Sequence, residues 1–343
     1  RLETLTIVEI DETKKRDISR GATEAAAVAG GVNLARDLVN TPPMYLRPED
    51  FAREAKKLSG GKVTVRVLNE KEIKKLGMNG LYSVGMGSSS GPRLIIASYR
   101  GGGREKPFAV VGKGITFDTG GISLKKWEGM DKMKYDMAGA AAALGVIKAL
   151  NALGVKKNVV AVVPVAENMP SGTAYRPGDV IKMMSGKTVE VLTTDAEGRL
   201  ILADAITYAR EKLKVSGIVD IATLTGACVV ALGGLAMGMM GNDDELLSRF
   251  REASVRSGER AWELPLFEEY GEQLKSEVAD IKNVGGPEAG AITAGFFLKH
   301  FVGDIPWVHL DIAGVAWAEK ERLGYLPGAT GAGVRLITEF FKG

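Results

Sequence analysis

Apolar residues fall along the chain in short β-branched runs that alternate with longer stretches of helical period. Positions 63–68, 94–99, 108–111, 159–165, 218–222 and 308–312 read as strands. Positions 21–38, 48–58, 138–153, 200–213, 244–257, 291–301 and 334–341 read as helices. The first helix is alanine-rich, tolerates Gly30-Gly31, and is halted by Asn40-Thr41-Pro42-Pro43. The strands are apolar at successive positions, so both faces of their sheet are expected to be covered. The pattern predicts a layered α/β fold, with no internal repeat and no low-complexity segment.

Composition narrows the setting. A chain of 343 residues with 45% hydrophobic content can hold one large core or two domains. Lys and Arg number 45 against 42 Asp and Glu, a near balance that argues against nucleic-acid binding through bulk positive charge. Cys228 is the single cysteine, which excludes an intrachain disulfide and fits a small buried hydrophobe in a reducing cytoplasm. The only histidines, His300 and His309, lie in a helix and a strand and are expected to be structural. The most apolar stretch, around 218–240, is interrupted by Asp220, threonines and glycines, so no membrane span and no membrane partner are expected. No signal peptide is expected from the first residues of this sequence. It begins at Arg1 rather than Met, and a preceding segment is expected.

Candidate chemistry concentrates in two places. In Thr193-Thr194-Asp195-Ala196-Glu197-Gly198-Arg199-Leu200, two carboxylates and a guanidinium precede a helical run. Alternate residues of an extended segment share a face, so Asp195 and Glu197 are expected to aim at one point, as for a divalent cation. Gly198 is expected to let the backbone turn tightly into the helix, and Arg199 at the helix start makes an anion site or pairs with Asp195 or Glu197. Upstream, the strand at 108–111 runs into a glycine-rich loop carrying Lys113, Asp118 and Lys125, and Asp136 heads the helix at 138. This loop is not a nucleotide P-loop, because Gly114 stands where that motif needs Ser or Thr.

Together, Val111 to Gly121, Met133 to Asp136, Glu167-Asn168-Met169-Pro170-Ser171-Gly172 and Asp195 to Leu200 resemble the leucyl aminopeptidase family, the M17 metallopeptidases. The resemblance covers nearly the whole chain from about Gly21. It implies a three-layer fold, a mixed twisted sheet between helices. It further implies a catalytic metallopeptidase domain over 41–343, with 1–40 as the remnant of an N-terminal domain and its linker helix. Two divalent metals are implied, zinc or manganese and also magnesium or cobalt. Asp118, Asp195 and Glu197 would hold one, and Lys113, Asp118, Asp136 and Glu197 the other. Lys113 must lose its proton to serve. A water shared by the metals would attack, Lys125 would stabilise the oxyanion, and Arg199, with Ala196, Gly198 and Leu200, would anchor bicarbonate as general base. Thr223, Leu224 and Gly226 would lie beside the substrate, and Met133 and Ala329 would shape the first side-chain pocket, although Met133 also reads as ordinary core.

The implied function is release of N-terminal leucine-like residues from peptides by a cytoplasmic homohexamer. Relatives that prefer Cys-Gly dipeptides, or that bind DNA in a regulatory role, supply the alternatives. Thr193, Thr173 and the stretch Lys126-Trp127-Glu128-Gly129 depart from the family pattern, the last near the expected substrate path.

Overall fold

The computed structural model of the chain describes residues 4–321, 324 and 326–343. Its strands are β1 Val63–Leu68, β2 Arg93–Arg100, β3 Phe108–Gly112, β4 Gly114–Asp118, β5 Asn158–Asn168, β6 Val180–Lys182 and β7 Thr188–Glu190. They continue as β8 Ile218–Ala222, β9 Met237–Gly241, β10 Ala261–Glu263, β11 Ile281–Lys282, β12 Trp307–Asp311, β13 Trp317–Ala318 and β14 Gly328–Ala329. The helices are α1 Lys15–Asn40, α2 Pro48–Lys56, α3 Glu70–Lys75, α4 Asn79–Gly85 and α5 Ala138–Leu153. After these come α6 Glu197–Tyr208, α7 Gly226–Leu232, α8 Asp244–Ser257, α9 Gly290–Val302 and α10 Val334–Lys342.

The main sheet runs β1-β2-β5-β3-β8-β12-β9-β10, with β4 also pairing with β5. Its centre, β5-β3-β8-β12, is parallel, while β1, β2 and β9 pair antiparallel. One core packs α1, α2, α5, α8 and α10 on one face, and a second packs α3, α4, α6 and α9 on the other. The expected three layers follow from this: strands apolar on both faces can only be satisfied by helices above and below.

All thirteen expected elements are present, four of them (63–68, 138–153, 218–222 and 244–257) at the expected bounds and the others with shifted ends. The expected 200–213 helix starts three residues early, at Glu197, and its last residues, Ala209–Leu213, widen into a π turn. Patterning missed α3, α4 and α7, which are too short to show a helical period, and β9, whose Met and Gly carry little strand propensity. The segment from Met130 through α5 is long and apolar enough to cross a membrane, but most of it is buried inside the fold.

The alanines of α5 have a packing reason. The helix lies between the sheet and α1, buried around almost its whole circumference. It meets α1 at facing glycines: a Cβ at Gly31 would sit 2.4 Å from the Gly145 carbonyl oxygen, whereas one at Gly30 would meet nothing closer than 3.9 Å. On the other face, buried Asp204 of α6 accepts the Leu81 N–H at 3.0 Å and the Met184 N–H at 2.9 Å, tying α4 to the β6–β7 hairpin. Burial outweighs these bonds and pushes its carboxyl up to about 7.

Two outcomes are expected. Gly31→Ala should lower stability by about 1–3 kcal/mol through overpacking, while Gly30→Ala should not. Equal thermal midpoints for the two variants would remove this account of the α1–α5 contact. For Asp204, the folded protein keeps a proton that an unfolded aspartate, with pKa about 3.9, has released. Its stabilising contribution is therefore full below about pH 4 and is lost as pH rises to about 7. In urea titrations, the stability of the wild type relative to Asp204→Asn should fall between about pH 4 and about pH 7 and level off above, and a pH-independent difference would contradict this.

Candidate metal centre

The chemistry-bearing residues converge at the carboxyl ends of the parallel strands, where open α/β sheets leave a crevice. Lys113 sits at the kink between β3 and β4, Asp118 ends β4, and Lys125 lies in the loop that follows. Asp136 is in the 3-10 turn Met130–Met137 that leads into α5. Thr223 follows β8. Asp195 occupies a turn, and Glu197 is the first residue of α6.

Three expectations are corrected here. Asp195 and Glu197 do not alternate along an extended segment; a turn followed by a helix start brings them together. The Gly112–Ser123 region is not a plain loop, because β4 adds a strand within it. Gly198 lies inside the first helical turn rather than at a tight bend, and its value is steric. A Cβ there would fall 2.6 Å from Lys113 Cε. By contrast, Gly120 (φ +85°) and Gly121 (φ +68°) do adopt left-handed backbone, which a side chain would strain.

One carboxylate oxygen each from Asp118, Asp195 and Glu197 lies within 4.8 Å of the others. Lys113, buried, donates to Asp136 Oδ1 at 2.8 Å, Glu197 Oε1 at 2.9 Å and the Thr223 carbonyl at 2.8 Å. Lys125 donates to Asp118 Oδ2 at 2.9 Å and, closer still, to Asp195 Oδ1. The Thr223 hydroxyl donates to Asp136 Oδ1 at 2.6 Å.

Burial penalises every one of these charges. For Lys113 it is outweighed by Asp136, Glu197 and Asp118, and for Lys125 by Asp118, Glu197 and Asp195, so both ammoniums are held above the ordinary lysine value. Burial also pushes up the carboxyls of Asp118, Asp136 and Asp195. Glu197 alone lies below its usual value, because Lys113 and Lys125 overcome its burial.

Four carboxylates thus share two ammoniums in a desolvated place, and Asp136 Oδ2 is buried with no hydrogen-bond partner. Excess negative charge, a cluster of oxygen donors and an orphaned carboxylate oxygen fit divalent cations. Asp118, Asp136, Asp195 and Glu197 are the residues able to hold them. Lys113 can join once its proton is displaced.

Arg199 is buried and donates Nη1 to the Asn283 carbonyl at 2.8 Å, not to Asp195 or Glu197. Its Nε has no partner, and burial lowers its pKa to about 10. A guanidinium with an unused donor beside a helix start is able to hold an anion.

These groups line a cavity of about 660 Å³ together with Met133, Ala196, Gly198, Thr223, Leu224 and Gly226. Two expected residues do not line it. Leu200, in the first turns of α6, packs its side chain into the second core, and Ala329 pairs with Trp317 in the β13–β14 ladder. The sequence reading missed other participants. Tyr135 lines the cavity between two residues already singled out. Asp311, two residues beyond His309 at the end of β12, accepts the Leu224 and Ala313 N–H groups, each at 3.1 Å, and the Thr225 hydroxyl at 2.7 Å, which fixes the wall after β8. Cys228 is buried as expected, with its thiol pushed up to about 12 by burial. Buried His309 pairs with Asp220 at 2.6 Å within the sheet.

The profile described as "cytosol aminopeptidase family, catalytic domain" matches residues 33–338. The chain is 53% identical over 333 residues to a probable cytosol aminopeptidase of Azotobacter vinelandii, covering 96% of this chain and 66% of that protein. It is 51% identical over 344 residues to a probable cytosol aminopeptidase of Pseudomonas fluorescens, covering 99% and 68%. The chain therefore spans about two thirds of the length of these curated relatives. Among solved structures, the bottromycin maturation enzyme BotP in complex with Mn superposes with a TM-score of 0.91 at 38% identity, over 94% of this chain and 72% of that one.

The Gly198–Lys113 contact gives a test. The backbone of α6 can accept an alanine, but Lys113 must then leave its three acceptors. Gly198→Ala is expected to fold normally by circular dichroism and to bind Mn²⁺ about 10–100-fold more weakly by calorimetry. Unchanged affinity would show that Lys113 can give way freely.

Proposed function

The chain belongs to the cytosol aminopeptidase family, and from that premise we propose that it releases the N-terminal residue of peptides, with leucine-like residues preferred, by using two divalent cations at this cavity. The observation that carries the reading is the packing of Asp118, Asp136, Asp195 and Glu197 around two ammoniums with a buried carboxylate oxygen left unpaired. When bound, the cations would supply Lewis acidity and acidified water, and a bicarbonate at Arg199 would supply a base.

The chain's own groups do the rest. Lys125 sits at the cavity wall, partly exposed and firmly protonated, where it can donate to the oxygen of a scissile carbonyl as negative charge develops. Arg199 and the free N–H groups at the start of α6 hold an anion next to that carbonyl without neutralising the carboxylates. A free α-amino group, once deprotonated, would be a ligand for one of the cations and a blocked one would not, which would confine cleavage to the terminal residue. Met133 and Leu224 offer an apolar, adaptable wall for the first side chain. The departing loop, with Trp127 largely exposed two residues beyond Lys125, is positioned to adjust the choice of substrate.

Zinc or manganese as the native pair, a homohexameric assembly and a cytosolic setting belong to the same proposal. The relatives' printed names and the Mn complex of BotP support the metal and the setting.

The test is hydrolysis of a panel of amino-acid amides and dipeptides. Leucine amide should be cleaved faster than Cys-Gly in kcat/KM, activity should vanish with a chelator and return with Mn²⁺ or Zn²⁺, and Asp195→Asn should weaken the cation requirement's midpoint. Lys125→Met should lower kcat by about 10²–10³-fold with little change in KM. Activity that survives verified metal removal would end the two-cation reading. A clear Cys-Gly preference would redirect it to a dipeptidase.

A further inference from the structure

We propose that Asn168 is a positioning residue of the cation centre, whose carboxamide locks Asp118 to the Thr194–Asp195 turn and leaves Asp118 only Oδ2 to offer. The inference rests on the cavity being a divalent-cation site, and it gives a function to a motif that the mechanism leaves unused.

Asn168 ends β5 and is fully buried. Its Nδ2 donates to Asp118 Oδ1 at 2.8 Å and to the Thr194 carbonyl at 3.0 Å. Two acceptors converge on one nitrogen, so chemistry settles the orientation of the amide. Turned over, its oxygen would oppose a carboxylate and a carbonyl. Asn168 Oδ1 has no hydrogen-bond partner, and it stands 2.8 Å from where a Cβ on Gly121 would be. An amide that leaves its own acceptor unsatisfied in the interior is retained for its donors.

The backbone of the same residue grips the next link. The Asn168 carbonyl accepts the Thr119 N–H at 3.1 Å and the Thr119 hydroxyl at 2.8 Å. Asp118 Oδ1 also accepts the Gly120 N–H at 2.9 Å, so this oxygen already has two donors. Oδ2 points to the opposite side, toward Lys125 and Asp195. A second clasp, the reciprocal bonds between Ser123 and Thr194, joins the same two segments but touches no carboxylate. Asn168 is therefore an uncharged link between the two ligand-bearing motifs that bears directly on a carboxylate, beside the ammonium bridges of Lys113 and Lys125. Side chains that orient ligands in this way typically change metal affinity by about 10–100-fold when replaced.

The experiment compares the full chain as wild type, Asn168→Ser and Asn168→Asp. Each is stripped with a chelator, checked by circular dichroism and thermal melting, and titrated with Mn²⁺ in a calorimeter. Serine removes the donor without adding charge, and aspartate sets a second carboxylate against Asp118. Mn²⁺ affinity should fall by about 10–100-fold in the serine variant, and further in the aspartate variant, while both remain folded. A role confined to packing would lower the melting temperature and leave the affinity of the folded protein alone. Serine-variant affinity within about twofold of wild type overturns the proposal, and so does failure of that variant to fold, which assigns Asn168 to the scaffold. A wild type that binds no Mn²⁺ instead overturns the cation reading itself, so the two failures are distinct.

Discussion

Four carboxylates brought into one desolvated cavity set the terms for everything around them. Like charges at this separation repel strongly where water is excluded, and burial alone already disfavours each ionised group. The fold manages this by placing two lysines between the carboxylates, Lys113 on one side and Lys125 on the other. The balance is incomplete, as the raised carboxyls and the orphaned Asp136 Oδ2 show. A site built this way is an electrostatic demand for additional positive charge, and it has the oxygen donors to receive it.

Such a cluster persists only if the scaffold over-determines it. The parallel strands β3, β5, β8 and β12 deliver their ends to one edge, so groups far apart in sequence arrive on rigid elements. Glycines then allow contacts that any side chain would block, Gly198 against Lys113 above all. Buried polar residues hold the pieces in register. Asn168 binds Asp118 to Thr194, Thr223 binds Lys113 and Asp136, and Asp311 fixes the loop beyond Thr223. Each satisfies backbone or carboxylate groups that would otherwise be stranded in the interior.

The same logic explains which parts of the molecule were legible beforehand. Elements with a strong local signature, such as α8 with its amphipathic period, α5 with its long apolar run and β1 and β8 with their β-branched residues, show in the linear chain, and their positions follow from it. Short ones, such as α4 and β9, exist because their neighbours pack them, and no local signal announces them. The carboxylates of Asp195 and Glu197 do approach one another, but through a turn entering a helix rather than along an extended segment. Two carboxylates spaced by one residue read equally well as an extended segment or as a turn entering a helix, and only the packing of α6 against the sheet chooses between these.

The sequence by itself determined the chemistry: which side chains carry charge, in what order, and with which glycines beside them, because these are properties of residues and near neighbours. The layered class of the fold also followed, since apolar strands and amphipathic helices have few ways to bury their faces. Tertiary structure decided which of those charges meet, that Arg199 turns to the Asn283 carbonyl rather than to a carboxylate, and that Leu200 and Ala329 fall outside the cavity. Distances across strand ends depend on pairing and register over the whole sheet, a long-range quantity that no local stretch of residues encodes.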